Sequence, residues 1–152
     1  MEYEGDYINN KYNGKGYDKN NNINYEVKGG KGLIKDYGFF GDLIFEGEYL
    51  NGLINGKVKE YWNGKLLFEG EYLNGLRHGK GKEYDYDDYD GQLIFEGEYL
   101  NGLKNGKGKE YRDDKLIYEG EYLNGKRLKG EEFDYFWWFN IQDQYLKGKK
   151  LS

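Results

Sequence analysis

The chain has 152 residues, of which 37 % are hydrophobic and 34 % charged, so it holds too little apolar material for a thick globular core. Its net charge of -5 argues against a nucleic-acid partner, and with no Cys and a single His it offers neither a disulfide framework nor a zinc ligand set. Yet 19 % of the residues are aromatic and recur at fixed spacing, which excludes disorder and points to an extended sheet array with a thin, continuous core.

Residues 1–42 read as degenerate copies of a repeating unit. Tyr3-Glu4-Gly5-Asp6-Tyr7-Ile8-Asn9-Asn10 opens the first, and Gly14-Lys15-Gly16-Tyr17 closes it. The asparagine-rich stretch Asp18 to Asn24 is expected to be a loop. Tyr25 to Gly32 resembles a second unit with a shortened turn.

Residues 43–130 are the regular body. FEGEYLNG begins at Phe45, Phe68 and Phe95, and YEGEYLNG begins at Tyr118, so the steps are 23, 27 and 23 residues. GKVKEY or GKGKEY follows at Gly56, Gly79 and Gly106. Self-similarity at this period indicates a stacked array. Phe45, Gly47 and Tyr49 alternate with Glu46, Glu48 and Leu50, the period of a strand. The two Asn-Gly pairs in Asn51 to Gly56 predict a turn, with Leu50 opposite Lys57, Glu48 opposite Lys59 and Phe45 opposite Trp62. One face then carries paired charges and the other paired rings. A 23-residue step is odd, so keeping Phe45 and Phe68 on one face needs one extra residue. A three-residue connection, Asn63-Gly64-Lys65, is expected to supply it. The four residues added in the 27-residue step fall in Asp85 to Asp90, a lengthened hairpin end.

The glycine inside each aromatic-x-Gly-x-Tyr triplet leaves space on the ring face. Two arrangements satisfy this pattern: rings lining a concave groove, or rings packed flat between neighbouring hairpins. The groove is the expectation carried forward, lined by Phe45, Tyr49, Phe68, Tyr72, Phe95, Tyr99, Tyr118 and Tyr122. Residues 131–152 depart from the repeat. Phe136, Trp137, Trp138 and Phe139 form the densest aromatic run, and Ile141 to Gly148 resembles a half-unit. This segment is expected to cap the sheet edge or meet a partner, and any homodimer is expected to form there.

These units resemble the MORN repeat (membrane occupation and recognition nexus), whose pattern is aromatic-Glu-Gly-x-aromatic-x-Asn-Gly, a short basic turn, then Gly-x-Gly. Leu76-Arg77-His78-Gly79-Lys80-Gly81 is similar to the family's basic turn, while Val58 departs from the second Gly. The resemblance implies an all-β fold: an elongated, curved, single antiparallel sheet of successive β-hairpins, forming one array over 1–152. It also implies a scaffold that holds a partner's helix or peptide in the aromatic groove. Two alternatives stand beside it: a membrane-associated adaptor for anionic phospholipid, and an antitoxin-like binding protein, because the GKEY ending resembles bacterial MORN-variant repeats.

Catalysis finds little support. Cys and Thr are absent, the only Ser is Ser152, and His78, the only His, is expected in a turn. The Glu residues recur opposite Lys and read as a solvated ladder rather than a catalytic pair. Asp85, Asp87, Asp88 and Asp90 lack the calcium-loop spacing, and Gly52 to Lys57 is one residue short of a phosphate loop. Arg77, Lys104, Lys126 and Arg127 read as solubilising turn residues. With no apolar run of membrane-spanning length and no leader pattern, the expectation is a non-enzymatic cytoplasmic protein that binds a protein or peptide and needs no cofactor or metal.

Overall fold

The computed structural model describes residues 2–8, 11–17, 23–86 and 91–133. Within them the chain forms twelve strands and no helix. They are β1 (Glu2–Ile8), β2 (Lys11–Tyr17), β3 (Ile23–Lys28), β4 (Lys31–Tyr37), β5 (Leu43–Leu50), β6 (Leu53–Trp62), β7 (Lys65–Leu73), β8 (Leu76–Tyr84), β9 (Leu93–Leu100), β10 (Leu103–Arg112), β11 (Lys115–Leu123) and β12 (Lys126–Glu132). All twelve lie in one open antiparallel sheet in sequence order. Each strand therefore pairs only with its chain neighbours, as the tandem repeat requires. Ile23 and Asn24, expected in a loop, already belong to β3.

Asn-Gly dictates the turns. Asn51 (φ 48°) and Gly52 (φ 96°) are both left-handed, the two-residue hairpin turn whose twist matches the flanking strands. Leu50 consequently faces Leu53, and Gly47 faces Val58. This corrects the expected pairing of Leu50 with Lys57. Of the two Asn-Gly pairs, the first makes the turn. The second glycine, Gly56 (φ 99°), falls where the ladder skips between Gly47 and Tyr49, so Asn55 to Lys57 bulge out of β6. The face assignment survives, with Glu46 opposite Lys59.

The parity argument holds, by a different device. Asn63 and Gly64 also make a two-residue turn, with Trp62 opposite Lys65. The extra residue is Leu67, passed over where Glu60 faces Phe68 and Tyr61 faces Leu66. Phe45 and Phe68 thus share a face, and both meet the Tyr72 ring edge-on, at 6.4 and 6.2 Å between centroids.

Neighbouring hairpin tips are tied together. Gly75 N donates to Ile54 O (2.9 Å), Gly102 N to Arg77 O (2.8 Å) and Gly125 N to Lys104 O (2.8 Å). The repeat along this rim is two strand spacings, about 9.6 Å.

Candidate functional site

The two faces of the sheet are built from alternate residues of the same strands, and they differ completely. On the ring face, the chain Phe45–Tyr72–Phe68–Tyr99–Phe95–Tyr122–Tyr118 is continuous, every step edge-to-face at 5.3–6.4 Å. Phe68, Phe95, Tyr99, Tyr118 and Tyr122 are buried, while Phe45 and Tyr72 pack against them partly exposed. The triplet glycines do not open a groove here, because the rings fill the space they leave. A Cβ on Gly70 would meet Phe68 Cζ at 2.6 Å, and one on Gly81 would meet Phe68 Cε2 at the same distance. Flat packing is therefore the observed arrangement, in place of the expected concave ring groove. Tyr49 is half-buried near the hairpin tip, opposite Ile54.

Basic residues close the row from above, a part that sequence reasoning missed. The Arg77 guanidinium lies 3.9 Å from the Phe68 centroid, the Lys104 ammonium 3.9 Å from Phe95, and the Arg127 guanidinium 4.2 Å from Tyr118. Each also pairs with carboxylates: Arg77 with Glu60 (2.9 Å) and Glu83 (3.0 Å), Lys104 with Glu83 (2.8 Å), and Arg127 with Glu110 and Glu132. Burial works against the Arg77 charge, but the Glu60 hydrogen bonds outweigh it and raise the pKa. The Arg127 hydrogen bond, helped by one from Tyr122, holds the Glu110 carboxyl below the ordinary carboxylate value. Arg77, Lys104 and Arg127 are thus part of the core cover, not merely solubilising turns. The signal is positional: the second residue after the turn Asn-Gly of each EGEYLNG copy is Ile54 in the first regular unit and Arg77, Lys104 and Arg127 in the next three.

The other face is open. A groove of about 1210 Å³ runs across β4 to β12, floored by the backbone of Gly70, Gly81, Gly97 and Gly108 and walled by two charged rows. The rows alternate strand by strand. β5 places Glu46 and Glu48, β6 places Lys57 and Lys59, β7 places Glu69 and Glu71, and β8 places Lys80 and Lys82. β9 to β11 continue with Glu96 and Glu98, Lys107 and Lys109, and Glu119 and Glu121; β12 ends with Lys129 and Glu131. Beyond the first wall, Tyr61, Tyr84 and Tyr111 each donate a 2.7 Å hydrogen bond, to Glu46, Glu69 and Glu96. Burial, then the accepting carboxylate, pushes these three phenols up to about 12. Beyond the second wall, the alternation that places Glu48 on this face also places Leu50 there. The facing pairs Leu50–Leu53, Leu73–Leu76 and Leu100–Leu103, followed by Leu123, form a row along the hairpin-tip rim. These seven leucines are 42–50 % exposed. Sequence reasoning passed over them because they flank turns, where exposure is ordinary; their recurrence on either side of each Asn-Gly marks them.

A family model for the MORN repeat matches residues 3–17, 45–65, 68–88, 95–116 and 118–127, more than half of the chain. The chain belongs to the MORN-repeat family. The matched segments are the hairpins just described, each regular one carrying a ring-glycine-ring triplet and its Asn-Gly turn. No curated protein matches the chain. MORN repeats are generally associated with protein or membrane-lipid binding, and the family is generally non-catalytic. No helix among the described residues is long and apolar enough to cross a membrane. Phe136, Trp137, Trp138 and Phe139, expected as cap or partner contact, lie outside the described residues, as do 87–90 of the acidic hairpin end.

Proposed function

We propose that this MORN protein is a non-catalytic scaffold that binds protein, and that recognition runs along the groove face and its leucine rim. The observation that carries this is the row of seven half-exposed leucines beside the open groove. Their burial has a driving force, about 25 cal/mol per Å² of apolar surface, which the paired charges beside them lack. A partner helix or peptide docked on the rings themselves would have to displace Arg77, Lys104 and Arg127 from Phe68, Phe95 and Tyr118. Anionic phospholipid is less favoured: the groove lysines alternate with glutamates, and the ring-face cations are paired with Glu60, Glu83 and Glu110. Lipid attraction needs unpaired positive charge, worth about 1 kcal/mol per residue.

The test is affinity capture from cell lysate with mass spectrometry, comparing the native chain with a Leu76→Glu, Leu103→Glu variant of unchanged circular dichroism. Trp62→Glu, placed on the opposite face, is the control. The rim variant is expected to lose the captured proteins and the control to keep them. The same proteins captured by all three chains would refute the assignment.

A further inference from the structure

The charged rows have a symmetry that single salt bridges do not need. The wall beside the leucines reads, strand by strand from β5 to β12, Glu48, Lys57, Glu71, Lys80, then Glu98, Lys107, Glu121, Lys129. From β5 to β12 its eight members alternate without a break; on β4 the same row carries the uncharged Leu33, opposite Glu48. Turned end for end and laid on itself, every Glu meets a Lys. Laid on itself in the same direction, every charge meets its like. A row of one sign, or an odd row, would not behave this way.

We propose that the groove face binds a second copy of this chain, face to face and antiparallel, about a two-fold axis parallel to the strands and centred between β8 and β9. This rests on the reading of that face as a protein-binding surface and names its partner. Such an axis reverses the order of the strands but keeps each side-chain row over its own counterpart. Glu48 then faces the partner's Lys129, Lys57 the partner's Glu121, Glu71 the partner's Lys107, and Lys80 the partner's Glu98. The same operation sets Leu76 against the partner's Leu100, Leu73 against the partner's Leu103, and Leu53 against the partner's Leu123. Each of these contacts occurs twice. The inner wall agrees over its middle, where Lys59, Glu69 and Lys82 find Glu119, Lys109 and Glu96 of the partner subunit; at its end Glu46 would meet the partner's Glu131, and Lys35 of β4, already paired with Glu46 in its own chain, lies beyond the partner's β12.

The division of labour follows from magnitudes. Exposed ion pairs contribute little free energy, so the ladder does not hold the dimer together. The leucines do, through burial. The ladder selects the orientation, because the parallel arrangement brings like charges together and is costly. Alternation that serves only neighbouring strands within one chain is satisfied without the leucine row, and the leucine row alone has no preferred direction.

Sedimentation velocity on the full chain tests this. The expected species has twice the 18.0 kDa of one chain. Lys80→Glu and Glu98→Lys are each expected to weaken the dimer about tenfold or more, since each change enters the two-fold interface twice. Mixing the two single variants is the deciding step. In the mixed dimer, position 80 of each chain meets a charge of opposite sign at position 98 of the other, so a heterodimer of near-native affinity is expected. Neither variant has its own ladder repaired by mixing, so rescue reports a contact between chains. Circular dichroism and melting temperature establish that each single variant is folded. A chain that stays monomeric, a dimer indifferent to both variants, or a dimer lost in both and not restored by mixing overturns the proposal. A monomer whose Leu76→Glu, Leu103→Glu variant still loses other captured proteins overturns self-association alone and leaves the scaffold assignment standing.

Discussion

The two faces of this sheet come from neighbouring residues of the same strands, one position apart. On one side, Phe95 is 1 % exposed, sealed by Tyr99, Tyr122 and Lys104. On the other, Glu96 and Glu98 stand at the groove walls and Leu100 is 45 % exposed. A single layer has no second sheet to cover its apolar face, so the rings must cover one another, and the charged residues that would normally face water are drawn over them as a lid. The opposite face then carries the charge ladder and the bonds of Tyr61, Tyr84 and Tyr111 to Glu46, Glu69 and Glu96, and no apolar core. The surface proposed for a partner is therefore the face the core does not use.

The largest expected effect breaks the closed face. Phe95→Ala removes the ring that contacts Tyr99, Tyr122 and Lys104, and it should cost about 3–5 kcal/mol in urea unfolding. Leu100→Ala, on the same strand but the open face, should cost about 0.5 kcal/mol or less in the monomer. Comparable losses from the two would show that the faces are not divided as described.

A second change sharpens the comparison inside the closed face. Tyr118 occupies the position of Phe68 and Phe95, but its hydroxyl is buried without a hydrogen-bond partner among the described residues. A buried, unpaired hydroxyl costs about 1–3 kcal/mol. Tyr118→Phe keeps the ring contact with Tyr122 at 5.6 Å and is expected to raise stability by about 1 kcal/mol. A lower melting temperature would refute this.

Much of the architecture is legible in the chain because each unit repeats its own instructions. The ring-glycine-ring triplets mark the strands, and the charge alternation assigns the faces. The register is not legible from Asn51 to Gly56, because two Asn-Gly pairs compete for one turn and either choice keeps Glu46 and Glu48 on the charged face. The closure of the ring face is hidden for a different reason. Arg77 lies nine residues beyond Phe68 and across a turn, and Glu60 lies 17 residues before Arg77. Local spacing does not announce a lid assembled from three strands. A basic residue beside a turn therefore reads as solvated when it is in fact over a ring. The leucine rim is visible only once the two-residue turn sets Leu50 opposite Leu53.

On the open face, pH offers a probe. Tyr61, Tyr84 and Tyr111 are raised from 10.0 to about 12, by burial first and then by their bonds to Glu46, Glu69 and Glu96. A raised folded-state value means that these bonds stabilise fully below pH 10 and lose that contribution as pH climbs through about 12. The groove lysines also lose charge in this range, so the native chain alone does not isolate the phenols. A triple Tyr61→Phe, Tyr84→Phe, Tyr111→Phe variant is expected to show a shallower loss of melting temperature between pH 10 and 12 than the native chain. Parallel curves for the two proteins would remove the phenol–carboxylate bonds from the account.

The smallest expected effect lies at a place common to both faces, the turn between β10 and β11. Its counterpart between β6 and β7 is Asn63-Gly64, with φ of 49° and 76°. Here Asp113 and Asp114 take the same left-handed pair, at φ 50° and 58°. Asp tolerates this region better than most residues, but glycine enters it without a Cβ penalty. Two terms oppose each other in Asp114→Gly. The folded state loses strain, and the unfolded chain gains freedom that must be given up on folding. The strain term is the larger where φ is positive, so a net gain of about 0.5 kcal/mol is expected. Removing an acid beside Arg112 and Lys115 could mimic or mask this, so Asp114→Asn, which deletes the charge and keeps the Cβ, is the control. Gly64→Asp in the sister turn should lose stability by a similar amount. If Asp114→Gly destabilises while Asp114→Asn does not, the strain term is smaller than the entropy term, and this turn is held by its side chains instead of its backbone.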